Sequence, residues 1–167
     1  MVGTVGNPSF SQSSVCEDSK DILVFTVRNV RFGVPAVFLD HVIRMVAITP
    51  VDDPPRGIVG IINYHGDVLP VFSFRRYLSL DEKPPAIQDF LIIVKEERHM
   101  AIIAETISGV YHIEDEVISP EQLSAGMKGI TGIYRCDDGL LIISHPKDLL
   151  GIEDQEKISA IREYLNL

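Results

Sequence analysis

The stretch Gly60–Leu78, reading GIINYHGDVLPVFSFRRYL, returns without a gap 72 residues later as Gly132–Leu150, GIYRCDDGLLIISHPKDLL. Gly60 and Ile61 meet Gly132 and Ile133, Leu69 meets Leu141, Val71 meets Ile143, Arg75 meets Lys147 and Leu78 meets Leu150. Each copy sets a polar, Gly-containing turn, His65-Gly66-Asp67 or Asp137-Asp138-Gly139, between two β-branched runs, which is hairpin chemistry. A short helix is expected to close each copy. Upstream, Phe25 to Ile48 and Ile92 to Ile113 also correspond, each as a strand, a charged turn, a second apolar strand and a further β-rich run. An internal repeat constrains the fold before any single element does. We expect two similar β subdomains, about 22–80 and 88–150, joined by the linker Asp81-Glu82-Lys83-Pro84-Pro85.

Ile and Val total 38 against 20 for Ala and Leu, so the apolar residues favour strand over helix. The exceptions lie at the ends. Residues 1–20 read as a solvated tail, lacking the basic start and apolar run of a signal peptide. Ile152, Ile158, Ile161 and Leu165 recur near helical spacing, so a C-terminal amphipathic helix is expected over 152–167. A formal charge of −9 with no Lys or Arg cluster argues against nucleic acid and against anionic membrane surfaces. No apolar run approaches the roughly 18–20 residues that a membrane span needs. A cytoplasmic location is expected, with Cys16 and Cys136 as free thiols.

Enzymatic motifs are missing. There is no P-loop, no G-x-G-x-x-G after a strand, no G-x-S-x-G and no H-E-x-x-H. The five histidines, 41, 65, 99, 112 and 145, are scattered along the chain. His112 with Glu114 and Glu116 offers a conceivable metal set, but a site needs more converging ligands than these guarantee. Asp137-Asp138 is better read as turn chemistry than as an acid–base pair. Neither a catalytic constellation nor a cofactor or metal is expected.

Phe32-Gly33-Val34-Pro35, then Val42-Ile43-Arg44, then Gly57 through Val71 with Arg75 beyond it resemble the CheW family of chemotaxis adaptors over about residues 20–150. The resemblance implies an all-β fold of two tandem five-stranded SH3-like barrels. It also implies a non-catalytic adaptor that couples chemoreceptor cytoplasmic tips to the regulatory domain of the histidine kinase CheA. The alternatives are a CheW-like scaffold of a different, non-flagellar chemosensory pathway and, from another class, a ligand-binding β protein.

By the same resemblance, Gly60, Asn63, His65, Gly66, Phe90 and Leu91 fall in the receptor-facing region, and Leu39, Val42 and Arg44 in the kinase-facing one. Gly66 is expected to hold a positive φ, and Gly60 to permit close approach of a partner backbone. The chain departs from the common family pattern at His65, usually Arg, and at Ser73, usually Asp. An Arg–Asp ion pair is thus unavailable at these positions.

Overall fold

A computed structural model describes residues 21–81, 83–96, 98–113, 117–118, 130–136 and 139–149. The strands are β1 (Asp21–Val27), β2 (Val30–Pro35), β3 (Leu39–Arg44), β4 (Ile58–Tyr64), β5 (Asp67–Phe72), β6 (Phe90–Lys95), β7 (His99–Ala104), β8 (Thr106–His112), β9 (Val117–Ile118), β10 (Ile130–Cys136) and β11 (Gly139–Ser144). Among the described residues helix is confined to a 3-10 turn at Ala36–Phe38 and to α1 (Phe74–Tyr77) and α2 (Pro146–Leu149), one after each repeated hairpin as expected. The expected tail and C-terminal helix, Cys16, and the pairs Glu114/Glu116 and Asp137/Asp138 lie outside the described residues.

The chain forms two sheets, ordered β8-β1-β2-β11-β10-β9 and β3-β6-β7-β5-β4. The six-stranded sheet takes β1 and β2 from the first half of the chain and β8 to β11 from the second, and the five-stranded sheet takes β3 to β5 from the first half and β6 and β7 from the second. The limits 22–80 and 88–150 are therefore limits of the repeat and not of the sheets. Hairpins form locally, whereas the seams between halves are long-range: β2 lies parallel to β11 and β5 parallel to β7. In the second seam Val71 faces Ala101, and in the first Ile143 faces Gly33, whose position leaves no room for a Cβ between Ile22 and Ile143.

Both faces of the central strands are buried, which explains why they read as unbroken apolar runs. On β6, Ile92 and Val94 enter the core between the sheets, while Leu91 and Ile93 join Ile62, Leu69 and Val71 in a core of their own sheet. On β1, Leu23, Phe25 and Val27 face the shared core, and Ile22 and Val24 face a third cluster with Leu141 and Ile143. The shared core is aromatic. Phe32 stacks on Phe74 at 4.2 Å between ring centres, and Phe72 meets Phe74 edge-on at 5.0 Å, so α1 is pinned between the sheets. Each such fully buried ring contributes about 2–3 kcal/mol.

Both sheets curl. Thr49, five residues past the end of β3, exchanges two backbone hydrogen bonds of 2.9 Å with Ile61 of β4, so the two edges of the five-stranded sheet approach each other. In the other sheet β8 and β9 occupy opposite edges, yet only residues 113–116 connect them. Five steps of chain reach at most about 18 Å, whereas five flat strand spacings would separate these edges by about 24 Å.

Candidate partner-binding surfaces

The β4–β5 hairpin ends in a two-residue turn, with Tyr64 paired to Asp67 and positive φ at His65 (51°) and Gly66 (88°). Positive φ at both turn positions is the type I′ geometry whose twist matches the strands. Asn63 closes it, its Oδ1 accepting from the Gly66 N–H at 3.0 Å. Asn63, His65 and Gly66 are all exposed, and open space surrounds the position a Gly66 Cβ would take. The tip is thus a rigid, accessible knob. The Tyr64 and His65 rings meet edge-on at 4.3 Å, and the His41 ring lies 6.3 Å from Tyr64.

Gly60 is buried. A Cβ there would stand 2.4 Å from the Thr49 carbonyl oxygen and 2.6 Å from an Ile48 methyl, at φ +159°. The close approach anticipated for a partner's backbone is filled by this chain's own Thr49, because the edge that curls back needs that space.

Along β3 the chain presents an edge strand, paired on one side with β6. Leu39 is half-buried against the shared core, while Val42 and Arg44 are exposed. Arg44 lies directly opposite Phe90, its guanidinium 4.8 Å from the ring centre, a cation–π contact that leaves one face of Phe90 occupied. Leu91 is fully buried behind Ile43 and belongs to the core. The residues expected to face the receptor and those expected to face the kinase therefore meet at Arg44 and Phe90.

Between tip and edge lies a cluster that local spacing could not reveal. Asp40 sets one carboxylate oxygen 3.2 Å from His41 Nδ1 and the other 3.3 Å from His99 Nε2. Partial burial, with the Asp40 carboxylate adding to it, pushes the Tyr64 phenol above its ordinary value. No signal in the sequence joins residues 40 and 99; the strand order β3-β6-β7 does. His112, set apart from these, has its Nδ1 3.0 Å from Asp21 Oδ1. Among the described residues no group of three or more His, Cys, Asp or Glu side chains converges as a metal site.

Behind the tip, Ser73 is 8% exposed and caps α1, its hydroxyl accepting from the Arg76 N–H. An Asp there would serve the same cap. His65 and Ser73 flank opposite ends of β5, about 20 Å apart, so no ion pair could join these positions whatever residues stood there. The motif arginine, Arg75, instead pairs with Glu105: Nε to Oε2 at 2.8 Å and Nη2 to Oε1 at 3.2 Å. The Arg28 backbone N–H also donates to Glu105, and Lys83 approaches it at 3.7 Å. The Arg75 hydrogen bonds foremost, and these two neighbours, hold the Glu105 carboxyl below its usual range against the effect of burial.

A family model described as a CheW-like domain matches residues 21–153. Protein FrzA of Myxococcus xanthus is 27% identical over 117 residues, covering 70% of this chain and 73% of that protein. Chemotaxis protein CheW of Helicobacter pylori is 23% identical over 146 residues, covering 84% and 88%. The crystal structure of the scaffolding protein TtCheW from Thermoanaerobacter tengcongensis superposes with a TM-score of 0.66 at 25% identity, covering 75% of this chain and 88% of that one.

Proposed function

The chain belongs to the CheW-like domain family, and from that premise we propose how this chemotaxis adaptor meets its partners. Its partners are the regulatory domain of a CheA-type histidine kinase and the cytoplasmic tip of a chemoreceptor, and it works by holding them together without chemistry of its own. The curling of each sheet supports a pair of SH3-like barrels. A cytoplasmic protein recruited to membrane-associated receptor arrays fits this role. No helix among the described residues is long and apolar enough to cross a membrane.

The observation that carries the kinase assignment is the edge of β3. Among the described residues no strand pairs with its outer side, which leaves backbone for an incoming strand, and beside it Val42 is 38% exposed while Arg44 is braced by Phe90. Such an edge invites strand addition, with side chains on alternate positions selecting the partner. We assign Leu39, Val42 and Arg44 to this contact, Leu39 as its inner support. Asn63, His65 and Gly66 form the receptor contact at the hairpin tip. Phe90 supports both surfaces through Arg44, while Gly60 and Leu91 act from inside by shaping the sheet that carries them.

Calorimetric titration against a purified CheA regulatory domain tests the reading. Val42→Lys is expected to weaken binding at least about tenfold while the thermal midpoint stays put, because the side chain is exposed but central to the edge. Undiminished affinity would remove β3 from the kinase surface. A different, non-flagellar chemosensory pathway is the other setting in which such a scaffold would work. Pull-down with kinases from each pathway of the same cell separates the two.

A further inference from the structure

Nine strand pairings build the two sheets among the described residues, and four of them join one half of the chain to the other: β1 with β8, β2 with β11, β3 with β6 and β5 with β7. Within the first half, β1 pairs with β2 and β4 with β5, while β3 pairs with neither hairpin. Each half alone is thus a set of fragments with open edges. The other half supplies neighbours to β1, β2, β3 and β5, and nothing in the pairings requires that half to come from the same polypeptide.

The covalent tie between the halves runs from Leu78 to Asp89; Ser79, Asp81, Lys83, Pro84 and Pro85 along it are exposed, and Asp89 at its far end is buried. Ser79 sits at φ +54°, a left-handed conformation unfavourable for a residue with a Cβ. Asp81 is held by Arg28 at 2.7 Å, but the two side chains are 78% and 44% exposed, so the pair is weak. Lys83-Pro84-Pro85 is biased towards extended backbone by its prolines. Straightening this segment relieves the turn at Ser79 at the cost of the exposed Arg28–Asp81 pair and of local hydrogen bonds such as those joining Ala86 to Asp89 and Leu80 to Arg75, while every ladder between halves is available again in a pair of chains.

We propose that this chain forms a reciprocally exchanged dimer, in which residues 21–77 of one copy pair with residues 90–149 of a second copy, and the reverse. The partner is a second copy of this chain, the surface is the set of four ladders between halves, and the hinge is 78–89. Exchange of identical elements is a low-cost route to dimers, governed by concentration. The dimer would tether two complete adaptor units through paired hinges, independently of which kinase or receptor they bind.

Single-cysteine full-length chains test this in a background where Cys16 and Cys136 are Ser. Thr26 and Thr106 are register partners across β1 and β8 with their hydroxyls in contact, a spacing suited to a disulfide. One chain carries Thr26→Cys and the other Thr106→Cys, so neither links within itself. Co-refolded from denaturant at high concentration under oxidising conditions, they are expected to give at least about tenfold more linked heterodimer than the same chains folded apart and then mixed. The linked species should have dimer mass by light scattering and unfold cooperatively. Equal linkage in the two procedures overturns the proposal. Should either threonine variant fail to fold, Asp21→Cys with His112→Cys, also register partners at exposed or half-exposed positions, is read by the same criterion.

Discussion

At the end of β5 the chain passes through Ser73 into α1 with its polar groups paired: the hydroxyl caps the helix, and Arg75 grips Glu105 through two hydrogen bonds. The repeated element ends differently at β11. Ser144 is fully buried, and its Oγ, like His145 Nδ1 and Glu96 Oε2, finds no hydrogen-bond partner among the described residues. His145 stands where Ser73 stands in the first copy, and Pro146, which has no N–H, follows it. His145 Nδ1 lies 3.9 Å from Glu96 Oε2, beyond hydrogen-bond reach, and its ring meets Phe38 edge-on at 4.5 Å. Two copies of one element thus obey the same backbone plan while one junction gains from its polar groups and the other bears their desolvation. An unpaired buried polar group costs about 1–3 kcal/mol, enough to make the first junction the firmer.

The largest expected effect probes how tightly the first copy is built. Gly60→Ala forces a Cβ into the Thr49 backbone, which cannot yield without breaking the Thr49–Ile61 bridge, and should cost about 3 kcal/mol or more in urea unfolding. A loss below about 1 kcal/mol would show that this edge gives way easily.

Next comes Arg75→Ala, expected to cost about 2 kcal/mol at neutral pH by leaving a mostly buried Glu105 without its main partner. Acid should erase this contribution in a defined direction. The Glu105 pKa is lowered by folding, so its stabilisation is present above the ordinary carboxylate range and is lost as pH falls through the lowered value. The gap between the wild type and Glu105→Gln should therefore be widest near neutrality and close on acidification. A gap that stays constant with pH would assign Glu105 to packing alone.

Two serine substitutions sharpen the contrast directly. Ser73→Ala removes a helix cap and should cost about 1 kcal/mol. Ser144→Ala removes an unpaired buried hydroxyl and should be neutral or stabilising, within about 0.5 kcal/mol of the wild type. Equal losses at the two sites would mean that the second junction is satisfied after all and that the copies do not differ.

Hairpins and their turns were legible from residues 60–78 because a Gly-containing dipeptide between β-branched runs is a local signal; Gly66 holds the positive φ expected of it. The short helices after β5 and β11 were legible for the same reason. The surface at β3 was readable only through resemblance, since an alternating strand looks alike whether it faces a core or a partner. The part played by Gly60 was misjudged because the sequence marks where a Cβ is excluded but not what excludes it. Glu105 went unnoticed as the partner of Arg75, being 30 residues away on the other half.

The amino-acid sequence by itself determined the strands, the turns that join neighbours, the repetition of the unit and the family to which its motif belongs. These depend on side-chain alternation and turn chemistry, which act over a few residues. Only the tertiary structure decided that each sheet takes strands from both halves, that Thr49 fills the space at Gly60, and that Asp40 lies between His41 and His99. Those outcomes rest on burying both faces of β1 and β6 at once and on satisfying the open backbone edges of every hairpin. Two halves with nearly the same pattern offer more than one way to do that, and the choice is made by packing among residues far apart in the chain.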